Sequence, residues 1–232
     1  MSKQQHTSPM NFRPPLVLKY QEAVHVAAFV RRVASWDSAG VIRIQTRGAV
    51  AALWATTPMN CMAFIAVPLG ENIEPPLDTI VFAGRLRDIL GDLSVVTPQN
   101  KIVAYQLPED LPMTQQLNVL PPQGKWVLAE RMSCGAVAEI VDDAIKDFHR
   151  QTEAFPSADR IFLDHLAEQI WQRPGVAAFP LKALHAARQF GFLGHANAQV
   201  EFSTLDGWKR LITPAGQVFV NTNTVRPKLR VI

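Results

Sequence analysis

An α+β fold in two units is what the sequence predicts, on three observations. Both halves combine apolar stripes at helical spacing with short runs that read as strands. The strand candidates of the first half are separated by short turns, which favours antiparallel neighbours. Midway along the chain, residues 107–124 hold Pro108, Pro112, Pro121, Pro122 and Gly124 with little periodicity, the composition of a connector. The expected division is a flexible tail at 1–15, an α+β domain at 16–106, a Pro-rich linker at 107–124, a helical domain with a C-terminal β-hairpin at 125–221 and a basic tail at 222–232.

In the first unit, Val26, Phe29, Val30 and Val33 form one helical stripe across residues 20–36, opposed by Glu22, His25, Arg31 and Arg32. Trp36-Asp37-Ser38-Ala39-Gly40 ends it. Strands are expected at 41–45, 50–54 and 62–67, with Thr46-Arg47-Gly48 and Thr57-Pro58-Met59-Asn60 as the turns between them. Pro75-Pro76 opens a loop before a strand at 79–82, a short helix at 84–90 and a last strand at 102–105. The helix is expected to pack on one face of the antiparallel sheet.

The second unit opens on Trp126-Val127-Leu128. Val137, Ile140, Val141, Ala144, Ile145 and Phe148 then make an apolar face over three turns. A second helix is expected from about Ala158 to Trp171, with Phe162, Leu163, Leu166 and Ile170 inward and Asp159 favourable against the helix dipole. Arg173-Pro174-Gly175 stops it, and a third helix runs from Pro180 to near Gly191. Residues 199–203, 208–213 and 217–221 alternate as strands around Asp206-Gly207 and Pro214-Ala215-Gly216. Three helices followed by a hairpin is a winged-helix-like order.

Composition narrows the function classes. The 232 residues are 48% hydrophobic, enough for a core, which excludes disorder across the whole chain. Cys61 and Cys134 are the only cysteines, so the chain is no disulfide scaffold. The 23 Lys and Arg against 20 Asp and Glu leave +3. All of that excess belongs to Arg226, Lys228 and Arg230 in the last twelve residues, since the preceding blocks cancel. A short basic tail is not a groove-sized nucleic-acid footprint. The longest apolar run, 61–69, contains Pro68 and is too short for a membrane helix. With no apolar leader among the first fifteen residues, a cytoplasmic protein with reduced thiols is expected.

Few residues point to chemistry. Ser133 lies in Met132-Ser133-Cys134-Gly135, not in a G-x-S-x-G elbow, and reads as a helix cap. Cys134 reads as a buried thiol. His6, His25, His149, His165, His185 and His195 show no metal-binding spacing. Glu139, Asp143 and Asp147 align on one helix face, but Lys146 and Arg150 stand close enough to make it a solvated, ion-paired face. Neither phosphate-binding glycine pattern occurs. No catalytic residue, metal or cofactor is therefore assigned. The one candidate contact surface is the third helix of the second unit. There Lys182, His185 and Gln189 cluster with Arg188 at the edge, and Lys209 and Arg210 on the hairpin could touch phosphate. Nucleic-acid binding requires those six to share one exposed face. Trp36, Trp54, Trp126, Trp171 and Trp208 read as packing within and between the units.

Four stretches carry a resemblance: WDSAGVIRIQTRGAVAAL at 36–53, LNVLPPQGKWV at 117–127, PLKALHAARQFGFL at 180–193 and WKRLITPAGQV at 208–218. As a set they resemble a family of uncharacterised two-domain proteins from actinobacteria. The resemblance implies a two-domain layout and a bacterial cytosolic setting, and carries no site residue with it. The expected function is a non-enzymatic module that binds another protein, with nucleic-acid binding and an enzyme with an inter-domain site as the alternatives. No membrane partner is expected, and the oligomeric state stays open.

Overall fold

The structure is a computed structural model that describes residues 13–37, 39–91, 101–112, 115–155 and 159–222. Residues 1–12 of the tail expected at 1–15, the helix start expected at Ala158, and residues 223–232 of the basic tail expected at 222–232 lie outside the described residues.

The chain passes from β1 (Leu16–Lys19) directly into α1 (Tyr20–Trp36), then through a meander of β2 (Val41–Arg47), β3 (Val50–Thr56) and β4 (Met62–Pro68). After it come β5 (Asp78–Phe82), α2 (Ala83–Leu90) and β6 (Ile102–Tyr105), and one helical turn, α3 (Gln115–Asn118). The second half runs β7 (Val127–Ser133), α4 (Cys134–Glu153), α5 (Arg160–Gln172), α6 (Leu181–Gln189) and a second meander, β8 (Gln199–Leu205), β9 (Trp208–Thr213) and β10 (Gly216–Asn221). α4 starts where the sequence marks it, because the Ser133 Oγ accepts a hydrogen bond from the Ala136 amide at 3.1 Å. Asp159 caps α5 in the same way, accepting from the Phe162 amide at 2.8 Å.

The two meanders join. One antiparallel sheet of eight strands runs in the order β5-β2-β3-β4-β10-β9-β8-β7. Its seam is β4 against β10, where Phe64, Ala63 and Met62 face Gln217, Val218 and Phe219. Each meander brings its last strand to the seam, so the two lie back to back. β1 and β6 form a separate two-stranded ribbon.

This corrects the expected fold class. The winged-helix-like order fails because the terminal strands are not a free hairpin beside a recognition helix. They are three strands of a shared sheet, and β7 closes its far side. α6 lies under the sheet with Leu181, Ala183, Leu184, Ala186 and Ala187 buried. The fold is instead a large antiparallel sheet with helices of both halves layered on one face.

Strand alternation decides what each face buries. Ile42, Ile44, Leu53, Ile65, Val200, Phe202, Leu211 and Val218 point to the helices and join the apolar face of α1 and α4 in one core. Across the seam, Phe29 of α1 stacks on Phe190 just after α6, with centroids 5.0 Å apart, and Trp36 meets Phe190 edge-on at 4.8 Å. The His25 Nε2 reaches the Ala215 carbonyl at 2.8 Å. Among the described residues no helix is long and apolar enough to cross a membrane.

The opposite face is not left bare. Residues 111–112 and 115–126 lie across it from the β5 side toward β7. The Leu111 amide donates to the Ile80 carbonyl at 2.8 Å, and Arg43 donates to the Leu117 carbonyl at 2.7 Å while forking onto both oxygens of Asp78. Leu111, Leu117, Leu120 and Trp126 pack against Trp54, Phe64 and Phe219 in a second, smaller core. The proline-rich stretch is therefore a packed strap.

α5 sits at the margin, against α4 and α6. Leu166 and Ile170 are buried, but Phe162, expected inward, remains 39% exposed and meets Phe155 edge-on.

Candidate docking cleft at the seam

Where the ends of β4, β10 and β9 meet α5 and the start of α6, the structure opens a cleft of about 910 Å³. One wall is the β3–β4 turn, Pro58-Met59-Asn60. Asn60 holds the left-handed backbone (φ 58°) that a short polar residue tolerates. Thr57 pins the turn: its amide donates to the Cys61 carbonyl at 2.8 Å and its Oγ1 accepts from the Cys61 amide at 3.1 Å. The other wall is α5, through Asp164, Glu168 and Trp171, and the floor carries Lys182, Lys209 and Val220.

Between α5 and α6, residues 173–181 form a tight loop. The Gly175 amide donates to the Phe179 carbonyl at 2.6 Å and the Leu181 amide to the Arg173 carbonyl at 2.9 Å. Ala177 and Ala178 both lie in the left-handed region, at φ 48° and 59°, which costs an L-residue with a Cβ about 1–2 kcal/mol each. The Lys209 ammonium holds this loop, donating to the Ala178 carbonyl while standing 5.2 Å over the Phe179 ring. Burial pulls the Lys209 ammonium below the ordinary lysine range.

Trp171 separates the cleft from His185, which stacks on the indole at a centroid distance of 4.2 Å. The Gln189 amide nitrogen donates to His185 Nε2 at 3.3 Å, placing the ring proton on Nδ1, a buried atom with no partner among the described residues. Burial, and after it the charge of Arg188, pushes the His185 pKa down to about 4. The fold therefore holds this imidazole neutral, and unfolding lets it take a proton at its ordinary pKa. Stability contributed here is complete above about pH 6.5 and is lost as pH falls from there toward 4. Urea midpoints measured between pH 7 and pH 4 are expected to drop more steeply for the native chain than for His185→Gln. Equal slopes would contradict a buried neutral ring.

The six cations and amides of the expected nucleic-acid surface are dispersed. Lys182 and Lys209 share the cleft. His185 and Gln189 are turned onto Trp171, and Arg188 is paired with Asp142 and donates to the Ala138 carbonyl at 3.2 Å. Arg210 follows Lys209 on a strand and so faces the other side of the sheet. There its guanidinium lies 4.4 Å over the Trp126 ring and donates to Ser203 at 3.2 Å. Two of the three carboxylates in the row are ion-paired, Asp143 with Lys146 and Asp147 with Arg150 and Arg173. Cys134 is fully buried, and that burial raises its thiol despite its place at the head of α4.

Residue-level reading misses Trp171, the 58–60 turn and the Ala177-Ala178 bend as parts of one place. Trp171 closes a helix and Asn60 sits in a turn, which are local signals. Nothing local tells that they face each other, and two alanines carry no mark of left-handed backbone.

No curated protein matches the chain. Among solved structures it is similar to a DNA polymerase sliding clamp from Pseudomonas aeruginosa with ligand, at 13% identity and a TM-score of 0.56, over 93% of this chain and 66% of that one. A DNA polymerase III β subunit from Eubacterium rectale gives 11% and 0.56 over 90% and 64%, and one from Borrelia burgdorferi with a natural product gives 7% and 0.54 over 94% and 66%. The chain thus spans just under two thirds of these clamp chains, and at such identities the likeness is one of fold. The architecture is sliding-clamp-like. On it, residues 13–105 match one domain of unknown function, DUF8010, and residues 121–225 match another, DUF8185.

Proposed function

We propose that this chain is a non-enzymatic, clamp-like docking module that holds a partner protein in the seam cleft. The observation that carries it is the cleft itself, which is lined from both halves and exists only because β4 pairs with β10. Its lining suits a protein side-chain anchor: Trp171, Met59 and Pro58 offer apolar surface, and Lys182, Lys209, Asp164 and Glu168 offer charge of both signs. The similar chains are subunits of a DNA polymerase, and one of them holds a natural product. That supports a scaffold that works through what it holds.

Chemistry at the cleft has little to draw on. His185 is pushed down to about 4 and the Cys61 thiol up to about 12, mainly by burial in both cases, so neither is poised near neutral pH for proton transfer. Duplex binding is disfavoured by the dispersal of the six candidate contacts, and by Glu139, Asp143, Asp164 and Glu168 exposed on the helical layer.

A photo-crosslinking residue placed at Met59 in cells of origin is expected to give an adduct with a protein. The same residue at Glu139, on the outer helix face, is the control. Equal adducts at both positions, or adducts to nucleic acid alone, would overturn the proposal.

A further inference from the structure

The two margins of the sheet differ. At the β5 margin the strap closes it: the Leu111 amide donates to the Ile80 carbonyl at 2.8 Å, and the Ile80 amide donates to the Asp110 carboxylate at 3.2 Å. At the other margin every strand partner of β7 lies on β8, and no described residue pairs with its outward side. Such a row of open N–H and C=O groups is a template for another strand, and natural edges are blunted with lysine, proline or a cover. β7 holds neither lysine nor proline over its seven residues, and Val127 and Leu128 are 65% and 45% exposed.

The strand can pair with its own copy. Its bulge between Leu128 and Glu130 leaves Leu128 opposite Ser203 and Arg131 opposite Glu201 on β8. Ser203 and Glu201 are two residues apart and share a face, so Leu128 and Arg131 share it too. Val127 and Met132, opposite Thr204 and Val200, share the other face. Two antiparallel copies of β7 about a two-fold axis between Ala129 and Glu130 set Leu128 against the second copy's Arg131 and Val127 against its Met132. Each pair then lies on one face, as cross-strand neighbours must.

The helix below carries the same symmetry. α4 starts directly after β7 and turns back under β7 and β8. Its exposed charges Glu139, Asp143, Lys146 and Arg150 follow at steps of four, three and four residues, on one face. An antiparallel second α4 sets Glu139 against its Arg150 and Asp143 against its Lys146. Both pairs have their midpoint between Ala144 and Ile145. Within one chain Asp143 meets Lys146 at 3.0 Å with both side chains 76% exposed, while Glu139 has no ion-pair partner among the described residues. From the Ala129–Glu130 point to the end of β7 is about 13 Å of strand. About 13 Å down α4 reaches Asp142, roughly 3 Å from the midpoint of the row. Strand and helix thus share one axis.

We infer that the β7–α4 margin is an interface between two copies of this chain, related by a two-fold that joins their eight-stranded sheets into one. Each open edge closes the other, and the contact is isologous, so assembly stops at two. The seam cleft takes no part in it.

The test is the mass of the full chain in solution over a concentration series, by sedimentation equilibrium. A monomer–dimer equilibrium is expected. Leu128→Lys, at a half-exposed site, puts a cation opposite Arg131 and is expected to weaken the dimer about tenfold or more. Glu139→Lys combined with Asp143→Lys is expected to do the same. Adding Lys146→Glu and Arg150→Glu to that chain inverts the row, keeps it self-complementary, and is expected to restore the dimer. Melting curves establish that each variant folds. Ala129→Cys, beside the axis, is expected to form a disulfide with its own copy on mild oxidation, whereas Arg32→Cys, exposed on α1, is not; Cys61 and Cys134 are buried. A Glu139 photo-adduct between two copies, told by its mass from an adduct with another protein, is expected as well and leaves the seam-cleft test unchanged. A monomer at every concentration, a trimer or an open polymer overturns the inference, as does a dimer indifferent to Leu128→Lys or to the charge reversal. A pure chain that is monomeric, with Ala129→Cys captured by a different protein in extract, gives the edge to a foreign strand and overturns it too.

Discussion

Phe29→Ala is expected to lower stability by about 3–5 kcal/mol, the range for emptying a buried phenylalanine site, and to shift one melting transition rather than split it. Phe29 is 2% exposed on α1 of the first half, yet its stacking partner is Phe190 of the second. Phe190 in turn meets Trp36 at 4.8 Å and Phe192 at 5.2 Å, so the cavity would open in a cluster shared by both halves. With about 2–4 °C per kcal/mol for a chain of this length, the midpoint falls by about 6–20 °C. Calorimetry decides it. A second, separate transition would mean that the two halves unfold as independent units and that the β4–β10 seam contributes little cooperativity.

Gly216→Ala is expected to cost about 1–3 kcal/mol by overpacking. Gly216 opens β10, and a Cβ there would come within 2.4–2.8 Å of three atoms of the Phe192 ring. That ring is 4% exposed and stacked on Phe190 at an interplanar angle of 18°, so it has nowhere to swing. Phe192→Leu in the same chain removes the obstructing ring edge and is expected to recover part of the loss. Urea denaturation of the two single variants and the double variant measures the coupling. Strict additivity would show that the contact does not set the cost.

Both effects arise where the halves meet, and that is also where residue-level reading is weakest. The α1 stripe is visible in the sequence, because Val26, Phe29, Val30 and Val33 recur at helical steps and are buried, together with Ala23 and Ala27. β2, β3 and β4 are visible from their alternation and short turns, with bounds that differ by one or two residues. The start of α4 is visible because a serine hydroxyl caps it. β7 is different. It lies at the margin of the sheet with Val127 and Leu128 65% and 45% exposed, so no buried face imposes an alternating pattern along it. The strap is hidden for a related reason. It holds through separate side chains, Leu111, Leu117, Leu120 and Trp126, set among prolines with no period for a pattern to reveal.

By itself the sequence determined where most of the helices and strands form, which side of most of them is apolar, and that the net charge resides in a short terminal stretch. Those properties depend on neighbours three or four residues away along a helix and two along a strand. Only the tertiary structure decided that the two halves share one sheet, that the strap covers its outer face, and that Lys182, Lys209, Trp171 and the 58–60 turn surround one cleft. The physical reason is that strands pair through backbone N–H and C=O groups, which every residue but proline offers alike. Met62 and Phe219 are partners across more than 150 residues of chain, and the hydrogen bonds that join their strands leave no mark in either stretch of sequence.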